Sequence, residues 1–116
     1  MIEQMDVAAV AEARGNVLAK AVFLDVREPW EFELARIAYS VNVPMSTLAR
    51  RVDEVRELQD SAGATGSAPV VLICHHGMRS MQCAQFLAGL GFDHLINLSG
   101  GIDAWSSRVD SAVPQY

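Results

Sequence analysis

One cysteine in this sequence is placed where nucleophilic chemistry is favoured. Cys74 ends the apolar run at residues 70–73, which we predict to be a central strand, and it opens the loop 75–80 before a predicted helix. In open α/β sheets, ligands bind outside the carboxyl ends of the strands. Successive loop N–H groups there form an anion-binding nest, aided by a helix N-terminus, by Arg79 and by the permissive backbone of Gly77. Such surroundings favour the thiolate, which is the nucleophilic form of cysteine.

Other interpretations of the cysteines stay open on these residues alone. Cys74 could be a small buried hydrophobe that finishes a strand. Cys83 lies nine residues later inside the predicted helix, in a spacing that differs from Cys-x-x-Cys. We therefore favour core packing for Cys83 over a resolving role in disulfide exchange.

A metal site is considered because Cys74, His75 and His76 are consecutive ligand-type residues. Adjacent side chains are expected to diverge, and the sequence offers no further Cys/His cluster to complete a tetrahedral site. We expect His94, on a predicted strand, to be an exposed polar residue. The sequence thus predicts neither a metal nor another cofactor.

Length and composition predict one compact domain over residues 1–116. The chain is 51% apolar and 20% charged, with two cysteines, so it can form a core without a disulfide scaffold. Nine basic and fourteen acidic residues give a formal charge of −5. Nucleic acid and anionic membrane surfaces are therefore poor candidate partners, since both are recognised by clustered Lys and Arg.

The N-terminal residues and the apolar runs bear on localisation. Residues 1–6 carry acidic groups where a signal peptide has a basic region. No uninterrupted apolar run is longer than the five residues at 70–74, far short of the ~20 residues that span a bilayer. We therefore expect a cytoplasmic protein whose two thiols are free.

Short β-rich runs alternate with segments of helical period, which predicts an α/β domain with a mostly parallel sheet. The predicted strands are 22–26, 41–43, 70–73 and 94–98. The first predicted helix runs from the capping residue Asp6 to Gly15, and the second covers 28–34. The others run from Ser46 through Leu58, from the loop at 75–80 to Gly91, and around 104–105. Residues 60–69 are rich in small residues, and we predict a flexible surface loop there.

Four segments, taken in order, resemble a known family. They are LDVREPWEF at 24–32, NVP at 42–44, VLICHHGMR at 71–79 and NLSGGIDAW at 97–105. Together they resemble a single-domain rhodanese, a sulfurtransferase of the thiosulfate:cyanide type. The resemblance implies a parallel sheet of four to five strands with helices on both faces.

The resemblance also implies a mechanism. An active-site cysteine accepts a sulfane sulfur from thiosulfate or a persulfide, becomes a persulfide, and passes the sulfur to cyanide, sulfite, a thiol or a protein thiol. Carried over by position, Cys74 is the nucleophile. The donor-binding loop is then formed by His75, His76, Gly77, Met78 and Arg79.

Two alternatives accompany this hypothesis. Phosphatases of the same fold use the longer Cys-x5-Arg loop, whereas four residues separate Cys74 from Arg79 here, which suits one sulfur better than a phosphoryl group. The second alternative is a non-catalytic module that carries sulfur or regulates a partner without turnover.

The sequence departs from the family at two positions. His75 stands where many rhodaneses have arginine, so cation recruitment there depends on pH. Residues 35–37 read Ala-Arg-Ile in place of Gly-His-Ile, and Arg36 either adds charge near the pocket or is a surface residue.

Two interpretations are open for several residues near the first predicted strand. Asp25, Arg27 and Glu31 either support the site from behind or form a partly exposed ion-pair set at the strand-to-helix turn. Trp30 either forms an apolar rim of the pocket or packs. The glycines at 100–101 are assigned a structural role, as a turn that lets a helix begin close to the active loop.

Overall fold

Five parallel strands form the centre of the molecule. The computed structural model describes residues 2–62 and 68–116, and the strand order in the sheet is β1-β5-β4-β2-β3. The strands are β1 (Ile2–Asp6), β2 (Val22–Asp25), β3 (Val41–Asn42), β4 (Val70–Ile73) and β5 (Leu95–Ser99). The helices are α1 (Val7–Ala13), α2 (Pro29–Leu34), α3 (Val52–Ala62), α4 (Met78–Gly89) and α5 (Gly101–Arg108), with a 3-10 turn at Leu48–Arg50.

Side chains of β4 alternate between two hydrophobic cores. Val70 and Leu72 pack with residues of α3 and α4 on one face of the sheet. Val71 and Ile73 pack with residues of α1 and α5 on the other. The apolar run at 70–73 is therefore a central strand covered on both faces, and the predicted fold class is confirmed. No helix among the described residues is long and apolar enough to cross a membrane.

The register of the sheet brings three strand ends together. Asp25 at the end of β2 pairs with Ile73 at the end of β4, and Leu72 pairs with Asn97 of β5. The residues that follow these strands consequently share one edge of the sheet. This edge holds Cys74 and the turn at Gly100.

The structure corrects several boundaries. Strand β1 was not predicted, because its polar residues face solvent at the edge of the sheet. Asp6 does cap α1 by accepting a hydrogen bond from Ala9 N, although the helix ends at Ala13 and not at Gly15. The predicted loop at 60–69 is wrong for residues 60–62, which belong to α3, and residues 63–67 lie outside the described part of the chain.

Helix α5 touches the backbone of the cysteine loop directly. Ile102 N donates to the Cys74 carbonyl at 2.9 Å, and Asp103 N donates to the His75 carbonyl at 3.1 Å. Gly101 has a φ of +61°, and a Cβ atom there would lie 2.4 Å from the His75 carbonyl oxygen. Only glycine permits this approach, so the structural role predicted for the glycine pair is confirmed.

We predict that Gly101→Ala lowers the free energy of unfolding by about 3 kcal/mol or more, because strain at positive φ adds to a clash with backbone. Gly91→Ala is the matched control, since Gly91 also has a positive φ of +91° but nothing lies within 4 Å of its Cβ position. The control should lose only about 1–2 kcal/mol. Urea unfolding measures both, and equal losses would contradict the packing argument.

Candidate active site

Cys74 lies at the end of β4 with only 1% of its surface exposed. Its Sγ accepts a hydrogen bond from Gly77 N at 3.0 Å, and Ser80 Oγ lies 3.3 Å from it. Both contacts come from the turn that leads into α4 or from its first residues. A sulfur held there meets a backbone donor and the positive end of a helix, which favour negative charge.

The backbone of the loop explains why a glycine is found at position 77. Gly77 has a φ of +112° and is the N-cap of α4, so its amide turns back toward Cys74. A side chain at this φ would strain the backbone. The loop thus bends tightly enough for the amide of residue 77 to reach the sulfur of residue 74.

A buried polar network supports the loop from below. Ser80 Oγ donates to Asn97 Oδ1 at 2.5 Å, while Asn97 Nδ2 donates to Gly77 O at 3.1 Å and to Gln4 Oε1 at 2.9 Å. Ser80 and Asn97 are buried. Neither was singled out in the sequence, although Asn97 is a polar residue inside an otherwise apolar run, and such a residue needs hydrogen-bond partners when buried.

The two histidines do not diverge as expected. The His75 ring lies 4.2 Å from the Tyr116 ring at an interplanar angle of 11°, and 4.1 Å from the His76 ring at 31°. His76 is 64% exposed, and its Nε2 lies 3.8 Å from Asp103 Oδ2. Stacking on Tyr116 orients His75, and its Nε2 is buried with no hydrogen-bond partner among the described residues.

A third possible metal ligand lies beside the two histidines. Ligand atoms of His75, His76 and Asp103 lie within 4.8 Å of one another, so a third ligand-type group is present that the sequence did not indicate. The lone pairs of imidazole nitrogens lie in the ring planes. The planes of the His75 and His76 rings are inclined at 31°, with centroids 4.1 Å apart, so the lone pairs of the two rings do not lie in one common plane. The absence of a metal stays a prediction.

Arg79 is bound to a carboxylate at the rim of the site. Its Nη1 and Nη2 donate to Glu31 Oε1 and Oε2 at 2.7 and 3.0 Å, a bidentate pair. Glu31 is only 4% exposed and also accepts from Tyr116 Oη at 2.8 Å and from Glu28 N at 3.0 Å. The hydrogen bonds from Arg79, opposed by burial, lower the pKa of Glu31 to about 2.

A second ion pair lies deeper in the same network. Arg27 Nη2 donates to Asp25 Oδ2 at 2.6 Å, and Arg27 Nη1 donates to Tyr116 Oη at 2.9 Å. Burial alone would lower the pKa of Arg27, but hydrogen bonding to Asp25 raises it overall. Asp25 and Arg27 are fully buried, so the expectation of a partly exposed set is wrong for them. Tyr116 joins this pair to Glu31 and Arg79.

Two large apolar side chains near this site are exposed to solvent. Met78 is 77% exposed and Trp30 is 63% exposed, with the Trp30 ring 6.3 Å from the Tyr116 ring in an edge contact. The rim interpretation therefore fits Trp30 better than packing does. Arg36 is exposed, with its guanidinium 4.8 Å from the Phe32 ring, as a surface residue would be.

The remaining candidates are structural. Cys83 is a free, buried thiol within the core formed with α3 and α4, and burial raises its pKa to about 12. This confirms the packing interpretation, since such a thiol carries little thiolate. His94 is exposed as predicted, but it precedes β5 and has a positive φ of 56°.

A five-stranded parallel sheet with a cysteine loop at its carboxyl edge defines the class of the protein. The chain matches the Rhodanese-like domain family over residues 8–108, and it belongs to that family. A rhodanese-related protein from Thermoplasma volcanium has a similar structure, with a TM-score of 0.75 and 29% identity, covering 92% of this chain and 93% of that one.

Two curated relatives extend the comparison. The protein YqhL of Bacillus subtilis is 37% identical over 90 residues, which cover 78% of this chain and 64% of YqhL. The rice protein named adenylyltransferase and sulfurtransferase MOCS3 is 31% identical over 99 residues, which cover 82% of this chain and 22% of MOCS3. The chain thus spans about a fifth of that larger relative.

We predict that Glu31→Gln makes stability less dependent on pH in acid. The ionised Glu31 stabilises the folded state fully above its usual pKa of 4.5, and this contribution is lost as the pH falls toward about 2. The difference in unfolding free energy between wild type and variant should approach about 3 kcal/mol near pH 6.5 and shrink by pH 3. Urea unfolding at several pH values measures it.

Glu54→Gln is the control for this prediction, because it breaks a surface Arg–Glu pair in which the Glu54 side chain is 54% exposed. Its effect should be much smaller. A pH-independent difference for Glu31→Gln would show that shape, and not charge, accounts for the loss.

Proposed function

We propose that the protein is a sulfurtransferase that carries sulfur as a persulfide on Cys74. The observation behind this proposal is the hydrogen bond from Gly77 N to Cys74 Sγ, made at the N-terminus of α4. A donor aimed at the sulfur before reaction stabilises a persulfide anion without reorganisation. Membership of the rhodanese-like family and the sulfurtransferase name of the rice relative support the same chemistry.

The proposed reaction has two balanced steps. The Cys74 thiolate attacks the outer sulfur of the donor, forming a sulfur–sulfur bond while the donor's own sulfur–sulfur bond breaks. The leaving group takes that electron pair, as sulfite from thiosulfate or as a thiolate from a persulfide. A nucleophilic acceptor then attacks the outer sulfur of the persulfide, and Cys74 leaves as the thiolate. Cyanide becomes thiocyanate in this step.

The loop residues receive proposed roles from their positions. Gly77 holds the sulfur through its amide, whereas His75, His76 and Met78 border the place where a donor or acceptor arrives. Arg79 contributes positive charge to the extent that Glu31 leaves it unpaired. We further propose that residues 1–116 act as one domain with a small anionic donor and a thiol or protein-thiol acceptor, in a reducing cytoplasm.

A persulfide carrier differs from a phosphatase in the size of its loop. Four residues separate Cys74 from Arg79, and the guanidinium of Arg79 is paired with Glu31. A phosphoryl group needs a wider ring of amides and a cation turned toward its oxygens. We therefore expect no hydrolysis of an aryl phosphate.

We predict that wild-type protein incubated with thiosulfate or a small persulfide gains the mass of one sulfur atom. The gain should disappear in Cys74→Ser, since no other described thiol is placed to react. Cys83→Ser is the matched control and should load as wild type does, because Cys83 is buried with a raised pKa. Intact mass spectrometry measures all three proteins, and an unchanged wild-type mass with every donor would end the proposal.

Turnover separates an enzyme from a non-catalytic carrier. We expect the loaded protein to release its sulfur to cyanide, sulfite or reduced thioredoxin and to load again over many cycles. A colorimetric thiocyanate assay follows the first acceptor, and loss of the added mass follows the others. Loading without release would identify a sulfur-carrying or regulatory module in place of a transferase.

A further inference from the structure

The cations near Cys74 are already paired. Both terminal nitrogens of Arg79 donate hydrogen bonds to Glu31, and Arg27 forms an ion pair with Asp25. Each pair sums to zero formal charge. Asp103 adds a carboxylate 3.8 Å from His76. Within the described residues around the loop, an incoming anion therefore meets no net positive charge from the arginines, and the loop amides and helix N-terminus are its main attraction.

Glu31 is fixed so that it keeps Arg79 in this position. It is nearly buried, it belongs to the first turn of α2, and its carboxylate accepts from Tyr116 Oη and from Glu28 N as well as from Arg79. Arg79 is about a third exposed, whereas its partner is not. The carboxylate is thus the rigid member of the pair, and the guanidinium is the member that could turn toward Cys74.

Arg79 lies in the first turn of α4, between Gly77, whose amide donates to Cys74 Sγ, and Ser80, whose Oγ lies 3.3 Å from that sulfur. The pKa of Arg79 is raised mainly by its hydrogen bonds to Glu31. A change in the pairing of Arg79 would therefore change the potential at the sulfur.

We propose that Glu31 is a specificity-determining residue, which by holding Arg79 shifts donor preference from dianionic thiosulfate toward monoanionic persulfides. This inference rests on the proposed function. Glu31 does not touch the reacting sulfur, so it acts as a positioning residue through Arg79.

The donor charges give the proposal a quantitative signature. An unpaired guanidinium attracts a donor with an energy proportional to the donor's charge. The logarithm of the rate gain for thiosulfate is therefore twice that for a monoanion. Glu31→Gln should raise loading about tenfold for thiosulfate and about threefold for the persulfide of 2-mercaptoethanol, whose charge is confined to the terminal sulfur. A merely structural role would change both rates by the same factor.

The experiment measures second-order rate constants of Cys74 persulfide formation for both donors, by intact mass, in wild type and Glu31→Gln. The ratio of thiosulfate to persulfide rates should rise about threefold and fall back at high salt, where charge interactions are screened. Glu54→Gln should leave the ratio unchanged, since it removes the same charge from a surface pair.

A double variant tests whether the effect of Glu31→Gln comes from the charge of Arg79. Glu31→Gln combined with Arg79→Gln replaces an ion pair by a neutral pair, so the ratio should return to the wild-type value even if both absolute rates fall. This variant leaves no unpaired charge, and it keeps the proposal falsifiable if Glu31→Gln alone does not fold. A fall of its ratio below wild type would show that Arg79 already attracts thiosulfate in the native site, and would overturn the proposal.

Each failure has a distinct meaning. If wild type gains no sulfur from either donor, the proposed function fails. If wild type loads, but Glu31→Gln folds and keeps the wild-type ratio, only the specificity proposal fails.

Discussion

The close approach of α5 to the backbone of the cysteine loop is the constraint on which the site depends. At Gly101 there is no room for a Cβ atom, and the amides that follow it donate to the carbonyls of Cys74 and His75. Those carbonyls are consequently occupied on the side of α5. The loop is held from one side by a helix and from the other by its own turn at Gly77, so the sulfur is fixed by backbone contacts.

A second layer of polar contacts connects this loop to distant parts of the chain. Asn97 donates hydrogen bonds both to the loop, at Gly77 O, and to β1, at Gln4 Oε1. The Tyr116 hydroxyl forms hydrogen bonds with both Arg27 and Glu31. Asn97, Arg27 and Glu31 are buried, and each would cost free energy if it lost its partner. The network therefore fixes the orientation of the rim as well as contributing to stability, and it explains why two arginines so close to the loop are neutralised.

The sequence predicted those features that depend on local pattern. The apolar run before Cys74, the capping by Asp6 and the glycine turn at 100–101 each follow from spacing or backbone chemistry. Strand β1 could not be predicted, since an edge strand with solvent-facing polar residues carries little hydrophobic signal. The stacking of Tyr116 on His75 was equally hidden, because it joins residues 41 positions apart that no motif relates.

The two cysteines show why position decides chemistry more than burial does. Cys74 and Cys83 are both 1% exposed, and both contact the same hydrophobic core. Cys83 lies within a helix among apolar side chains, where burial raises the pKa of its thiol. Cys74 lies where a strand ends, and there the chain itself supplies an amide donor and a helix N-terminus. Solvent is excluded from both sulfurs. Only Cys74 has fixed dipoles, an amide and a helix N-terminus, in place of water. Such dipoles are what allow a buried sulfur to carry negative charge.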